Sequence, residues 1–121
     1  MSTDSYHIEL TVADHEANGF IGLVRWQIGS EDQGRAILAE IDQEIPDEAA
    51  GDLKTDPYIF ILDLRDPDDM ILDNNAKCLP LQMAMRLAPD RVGWWLKERP
   101  DPNRLVHEWS PVIPGLPILS V

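Results

Sequence analysis

Apolar and polar side chains alternate along the first 28 residues in two runs, with a polar segment between them. Residues 6–12 (Tyr-His-Ile-Glu-Leu-Thr-Val) alternate with a period of two, which is the pattern of a half-buried strand. Residues 20–28 are rich in aromatic and branched side chains and predict a second strand. Residues 13–19 are mostly polar and contain Asn18-Gly19, a frequent hairpin turn. The pattern predicts an N-terminal β-hairpin.

A helical period replaces this alternation after residue 30. Ser30 and Gln33 fit a capping box, in which a serine begins a helix and a glutamine three residues later completes the cap. Apolar residues then recur at helical spacing until Pro46, which cannot continue a helix. The pattern predicts one amphipathic helix over residues 31–45, with a buried face made of Ile37, Leu38, Ile41 and Ile45.

The C-terminal half of the chain is harder to assign. Residues 58–62 form a continuous apolar run and predict a central strand, and the acidic residues 63–75 predict a loop. Residues 79–87 alternate like a strand but consist largely of good helix formers. We favour a strand there and leave the helix open. Residues 92–97 and 105–109 predict two further strands.

These elements predict an α+β fold with a mostly antiparallel sheet. It would comprise the N-terminal hairpin, one amphipathic helix and a C-terminal β meander, in the approximate order ββαββββ. A chain of 121 residues that is 44% hydrophobic fits one acidic domain spanning residues 1–121. No apolar run approaches the roughly 20 residues of a membrane-spanning helix. Residues 1–5 lack signal-peptide features, and Cys78 has no second cysteine to pair with, so we expect a cytoplasmic protein.

Charge is the most unusual property of the sequence. The formal net charge is −12, and residues 31–73 contain 14 acidic and three basic residues, which is −11 in that segment alone. Phosphate backbones and anionic lipids repel such a chain, so we expect no direct nucleic-acid partner and no membrane partner. A basic protein is the partner that this charge favours.

Residues with catalytic or metal-binding chemistry are few. The sequence has no glycine-rich phosphate loop, no calcium loop and no G-x-S-x-G motif, and it predicts no catalytic residue, cofactor or metal. His7 and Glu9 share one face of the first predicted strand. They would form an acid–base or metal site if the last strand lay beside the first, so that His107 or Glu108 joined them. We favour a solvated polar face on an edge hairpin.

Two other reactive side chains have structural interpretations that we prefer to functional ones. Asp63 follows the apolar run 58–62, where α/β folds often place a metal-binding or phosphoryl-accepting carboxylate. The chain lacks the strand–helix alternation of such folds, so a solvated loop acid is the better interpretation. Cys78 has no neighbouring histidine that would lower its pKa, which favours a buried and unreactive thiol.

Tryptophans add one candidate contact. Trp94 and Trp95 are adjacent, so a strand would point them to opposite faces and leave one partly exposed. Tryptophan is over-represented among interface residues that dominate binding energy.

Acidic residues crowd the predicted C-terminal end of the helix, where the unpaired carbonyls already carry partial negative charge. Residues that break a local rule without evident gain tend to be functional. Keeping the protein soluble and adaptation to salt are simpler explanations of the acidity and stay open. The predicted partner-binding residues are Glu40, Glu44, Asp47, Glu48, Asp66, Asp68, Asp69 and Trp95.

The leading hypothesis is a small non-enzymatic binding protein that inhibits or neutralises a basic partner. Immunity proteins, antitoxins and nucleic-acid-mimic inhibitors are concrete forms of it. One alternative is an accessory or assembly subunit, for which the apolar tail 110–121 would form a partner or homo-oligomer contact. Another is a small enzyme with a His/Glu site.

Overall fold

The N-terminal strand lies at the centre of an antiparallel sheet in the computed structural model, which describes residues 6–15, 19–51 and 56–99 and the backbone of residues 109–110. The first strand pairs with the second and third, and the fourth pairs with the third. A two-residue fifth strand runs parallel to the second, which gives the order β4-β3-β1-β2-β5. The strands are β1 (His7–Asp14), β2 (Gly19–Gln27), β3 (Tyr58–Arg65), β4 (Ile71–Asn74) and β5 (Trp109–Ser110).

The predicted hairpin is confirmed, but its first strand is buried on both faces rather than one. Ile8, Leu10 and Val12 point into the hydrophobic core, as alternation predicts. The opposite, polar face of β1 is also buried, and β1 has a partner strand on each side instead of lying at the sheet edge. Burial of charged residues there is the feature that the alternation did not predict.

Helix α1 (Glu31–Glu44) crosses from β2 to β3 and confirms the predicted helix. The Ser30 hydroxyl accepts a hydrogen bond from the Gln33 N–H at 3.1 Å, and the Gln33 side chain accepts one from the Gly29 N–H at 2.6 Å. Gly34 faces the sheet, and a Cβ there would collide with Leu64 and Ile28. A glycine at this position therefore sets how closely α1 packs against β3.

Two helices replace the strands that we predicted over residues 79–87 and 92–97. They are α2 (Leu81–Leu87) and α3 (Pro89–Glu98), so the single-helix order ββαββββ is wrong although the α+β class holds. The helix-forming residues of α2 determine its structure, and its buried residues Met83, Ala84 and Leu87 follow helical spacing. Pro89 occupies the first turn of α3, where a missing N–H costs nothing.

The predicted acidic loop over residues 63–75 is shorter than expected. Strand β3 continues through Asp63 to Arg65, and β4 begins at Ile71. Asp66 organises the turn between them, because its carboxylate accepts hydrogen bonds from the N–H groups of Asp68 and Met70, both at 2.9 Å. Asp69 has a φ of 69°, a left-handed conformation that aspartate tolerates.

Several predictions fall outside the described residues, namely the strand over residues 105–109 apart from residue 109, the tail 110–121 apart from the backbone of residue 110, and His107 and Glu108. None of the helices in the described ranges is long and apolar enough to span a membrane.

Truncation of the buried face of α1 should destabilise the protein. Ile41 is completely buried, so Ile41→Ala should lower the free energy of unfolding by about 2–5 kcal/mol. Gln43→Ala, on the exposed face of the same helix, should change it by no more than about 0.5 kcal/mol. Urea denaturation of both variants measures the difference, and equal effects would contradict the packing of α1 on the sheet.

Candidate functional site

Glu9 is the centre of a buried network on the polar face of the sheet. Its side chain has no exposed surface, and its carboxylate binds Arg25 of β2 at 2.9 Å. Arg65 of β3 approaches the same carboxylate oxygen to 3.6 Å. Thr11, on the same strand and face, donates its hydroxyl proton to the other oxygen at 2.9 Å. Both neighbouring strands therefore contribute a guanidinium to one buried acid.

Asp63 and Asp69 extend this network toward the surface. Arg65 contacts the Asp63 carboxylate at 3.3 Å and donates to the main-chain carbonyl of Asp69 at 2.9 Å. Arg25 also contacts the Asp69 carboxylate at 3.1 Å, and the His7 ring lies 3.2 Å from the same oxygen. Asp63 is therefore a buried ion-pair partner rather than the solvated loop acid that we predicted.

The arrangement brings together His7 and Glu9, as the acid–base hypothesis required, and adds Asp69 to them. One ligand atom from each lies within 4.8 Å of the others, which is close enough to hold a metal ion. The Glu9 and Asp69 carboxylates already contact Arg25 and Arg65, and two guanidiniums repel a cation. His7 and Glu9 are also almost wholly buried. The donor set therefore favours a structural ion-pair network over a metal or catalytic centre.

The predicted site did not include Arg25, Arg65 or Thr11. The sequence contains a signal for the two arginines. Arg25 interrupts a largely apolar strand, and Asp63 and Arg65 occupy alternate positions at the end of another. Charged residues in a strand that is buried on both faces need partners on adjacent strands. The strand order, which the sequence does not reveal, was needed to match them.

Removal of one charge from this network should cost much more than removal of a surface charge. Glu9→Gln keeps the side-chain shape but leaves the buried Arg65 and the partly buried Arg25 without their shared carboxylate, so the free energy of unfolding should fall by about 3–5 kcal/mol. Glu31→Gln, which breaks the exposed pair with Arg35, should cost no more than about 1 kcal/mol. Chemical denaturation compares the two. A gain in stability for Glu9→Gln would instead indicate a strained functional site.

The acids at the C-terminal end of α1 are partly compensated by residues distant in sequence. The Asp42 carboxylate accepts hydrogen bonds from the N–H groups of Ala76 and Lys77, at 2.9 and 3.0 Å. The Lys77 ammonium donates to the Ile45 carbonyl at 2.8 Å and contacts Asp47 at 2.7 Å. The sequence has no lysine or arginine between residues 36 and 53, so the cation at this helix end, Lys77, is one that the fold brings there.

Three of the predicted acids at this end nevertheless have no compensating contact in the described part of the chain. Glu44 and Glu48 are exposed, and within the described part of the chain neither forms an ion pair or a side-chain hydrogen bond. Glu40 is half-buried and likewise makes no such contact there. We refer to Glu40, Glu44, Asp47 and Glu48 as the acidic end of α1.

Of the remaining predicted acids, Asp69 lies on the other face of the sheet, and Asp66 and Asp68 belong to the turn that leads to it. Gly34 of α1 packs against Leu64, whereas Asp69 binds the neighbouring Arg65, and adjacent strand residues point to opposite faces. Asp66 and Asp69 are occupied by the hydrogen bonds and ion pairs described above, while Asp68 is exposed. The eight predicted partner-binding residues therefore do not form one surface.

Trp95 does not belong to any docking surface in this fold. It lies in a helix rather than a strand, has no exposed surface and packs edge-on against Tyr58 and Phe60. Trp94 is the partly exposed member of the pair. Arg99 covers the Trp95 ring at 4.5 Å and binds the buried Asp14 at 3.2 Å, so Trp95 helps to hold the end of α3 on the sheet.

Cys78 lies beside a cavity that the sequence did not indicate. The thiol is half-buried, and burial followed by the nearby Asp56 carboxylate raises its pKa above the ordinary value. An elevated pKa keeps the thiol protonated, in agreement with the expectation that it is unreactive. The cavity, of about 300 Å³, lies between the residues that follow the 3-10 helix Asp47–Ala49, the start of β3 and the start of α2.

The contact between Lys77 and Asp47 predicts a pH effect at this helix end. The hydrogen bond and positive charge of Lys77 lower the pKa of Asp47. Because the folded-state pKa is then below the unfolded-state pKa, the contact stabilises the fold above the unfolded-state value. This contribution is lost as the pH falls through the folded-state pKa. Lys77→Met should raise the pKa of Asp47 toward its ordinary value, as measured by NMR of the carboxyl carbon. Lys97→Met, a control on α3, should leave it unchanged.

Comparisons with family models, with curated proteins and with solved structures returned no match to this chain. Function therefore has to be inferred from the geometry and charge described above.

Proposed function

We propose that this protein is a non-enzymatic binding protein that docks on a basic protein partner through the acidic end of α1. The observation that carries this proposal is the placement of Glu44 and Glu48. Both are exposed at or beyond a helix C-terminus, and in the described structure no cation or hydrogen-bond donor pairs with either side chain. Asp42 and Asp47, in the same part of the chain, contact Ala76 and Lys77, whereas Glu44 and Glu48 have no such partner among the described residues.

Electrostatic repulsion at this helix end makes a nearby cation favourable for Glu44 and Glu48. A carboxylate near a helix C-terminus is repelled by the partial negative charge of the terminal carbonyls. Glu40 and Glu44 are also separated by one helical turn, and like charges at this spacing repel each other. Lys77 reaches Ile45 and Asp47 but no other acid of this surface. A basic partner would relieve the repulsion that remains.

The same charge explains what docking would achieve. Complementary charges accelerate association and orient the partners, and an acidic surface occupies a site that would otherwise hold an anionic substrate. Basic surfaces are typical of proteins that handle nucleic acids. The concrete forms that we propose are therefore an immunity protein, an antitoxin or a nucleic-acid-mimic inhibitor.

A role as an accessory or assembly subunit is a second candidate, and it draws on a different surface. Met70 and Ile71 are adjacent apolar residues at the edge strand β4, and they are 63% and 52% exposed. Exposed apolar residues at a sheet edge favour contact with another chain, including a second copy of this one. The two candidates differ in salt response, since an apolar contact does not weaken as salt rises.

Neutralisation of the acidic end should weaken partner binding without harming the fold. In Glu44→Gln/Glu48→Gln, the melting temperature should be unchanged or slightly higher, because repulsion at a helix end is removed. The association rate with a basic partner captured from the native host should fall roughly tenfold at low salt, and its salt dependence should flatten. Surface plasmon resonance at several salt concentrations measures both.

The matched control is Asp90→Asn/Glu98→Gln, which removes the same charge from exposed positions on α3. This variant should bind the captured partner with nearly the wild-type association rate. An acidic partner, or one that binds the two double variants equally, would contradict the proposal. Unfolding of the wild-type protein below molar salt would also contradict it, because the acids would then be an adaptation to salt.

A further inference from the structure

The cavity beside the acidic end of α1 has the shape and position of an anchor pocket. Its volume of about 300 Å³ is at the lower end of the range for small-molecule sites, which suits a single side chain. Ala49 and Ala50 line it and directly follow Asp47 and Glu48 in the chain. The pocket is therefore continuous with the surface that we propose to bind a basic protein.

The lining combines apolar walls with one carboxylate. Phe60 and Leu79 are buried at the base, while Tyr58 and Leu81 are partly exposed. Asp56 is the only charged residue among the described residues that line it. The Asp56 carboxylate would lie 3.6 Å from a Cβ on Gly51. Its negative charge also helps to raise the pKa of Cys78. The negative potential therefore extends into the pocket.

We infer that this pocket receives an arginine side chain of the basic partner, an inference that rests on the proposed function. The three methylenes of arginine would pack against the apolar wall around Pro80 and Leu81, and the guanidinium would meet the negative potential of Asp56. Glu48, which directly precedes the lining residue Ala49 in the chain, would attract the same charge. A long side chain with an apolar stem and a cationic head matches this lining from base to rim.

Arginine fits better than lysine or an apolar residue. A guanidinium is less strongly hydrated than an ammonium and stacks on aromatic rings, and Tyr58 offers a partly exposed ring at the wall. The protein already uses this chemistry nearby, because Arg99 lies 5.4 Å from the centre of the Tyr58 ring. A purely apolar side chain would bring no positive charge into the negative potential of Asp56. Arginine is also enriched among residues that dominate interface energy.

A blocked arginine, Nα-acetyl-arginine methylamide, tests the pocket without any partner protein. Titration into the labelled protein should shift the amide resonances of residues 49–51, 56, 58–60, 79 and 81, with a dissociation constant in the millimolar range. Blocked leucine should cause no saturable shift, and blocked lysine should bind more weakly. Leu81→Lys, which places a cation at the mouth, should weaken binding of blocked arginine at least tenfold.

Ile71→Lys is the matched control, since it also replaces an exposed apolar residue with lysine but lies at the distant strand β4. It should bind blocked arginine like the wild type. If Leu81→Lys disturbs the fold, Ala49→Phe replaces it as the test. This variant fills the cavity without adding charge and should prevent binding of blocked arginine.

The pocket inference fails if blocked arginine shifts resonances uniformly over the acidic surface, or if blocked leucine binds as well. It also fails if Leu81→Lys and Ile71→Lys behave alike. These outcomes leave the proposed function standing if Glu44→Gln/Glu48→Gln still weakens the captured partner. Conversely, the proposed function alone would be overturned if blocked arginine binds specifically but the captured partner associates equally fast with the wild type and with Glu44→Gln/Glu48→Gln.

Discussion

The buried carboxylate of Glu9 sets the constraint on which the sheet depends. A buried charge without partners is far too costly for a protein of this size, so β1 can occupy the centre only if both neighbouring strands deliver a guanidinium. A shift of one residue in either pairing would turn Arg25 or Arg65 to the opposite face. The network therefore fixes the register of three strands at once, which hydrophobic packing alone does less selectively.

Structure governed by neighbours in sequence was predictable. The cap formed by Ser30 and Gln33 and the helical spacing of Ile37 and Ile41 specified α1 without reference to the rest of the chain. The alternation of residues 6–12 likewise specified a strand. It did not specify where that strand lies in the sheet, because burial of His7 and Glu9 depends on β3, which arrives some fifty residues later.

The errors came from contacts between distant residues and from competing local signals. The alternation of Leu81, Met83 and Met85 resembled a strand, but helix propensity determined the structure once Leu87 and Val92 could pack on the core. Asp42 and Asp47 looked like surface charges until Lys77 was placed beside them. Counting acids in a sequence therefore overestimates an interface, since part of the negative charge holds the fold together.

The alkylation rate of Cys78 can be used to measure access to the segment around the cavity. Cys78 is the only cysteine in the chain, and its carbonyl accepts a hydrogen bond from the Gly51 N–H at 3.1 Å, across the segment that borders the cavity. Alkylating reagents need access to the sulfur atom and react with the thiolate. Partial burial limits the access, and the raised pKa of Cys78 lowers the thiolate fraction. The labelling rate at a fixed pH therefore reports the access of a reagent to this segment. A ligand bound in the cavity would restrict this access and slow the labelling of Cys78, with no reporter group added to the protein.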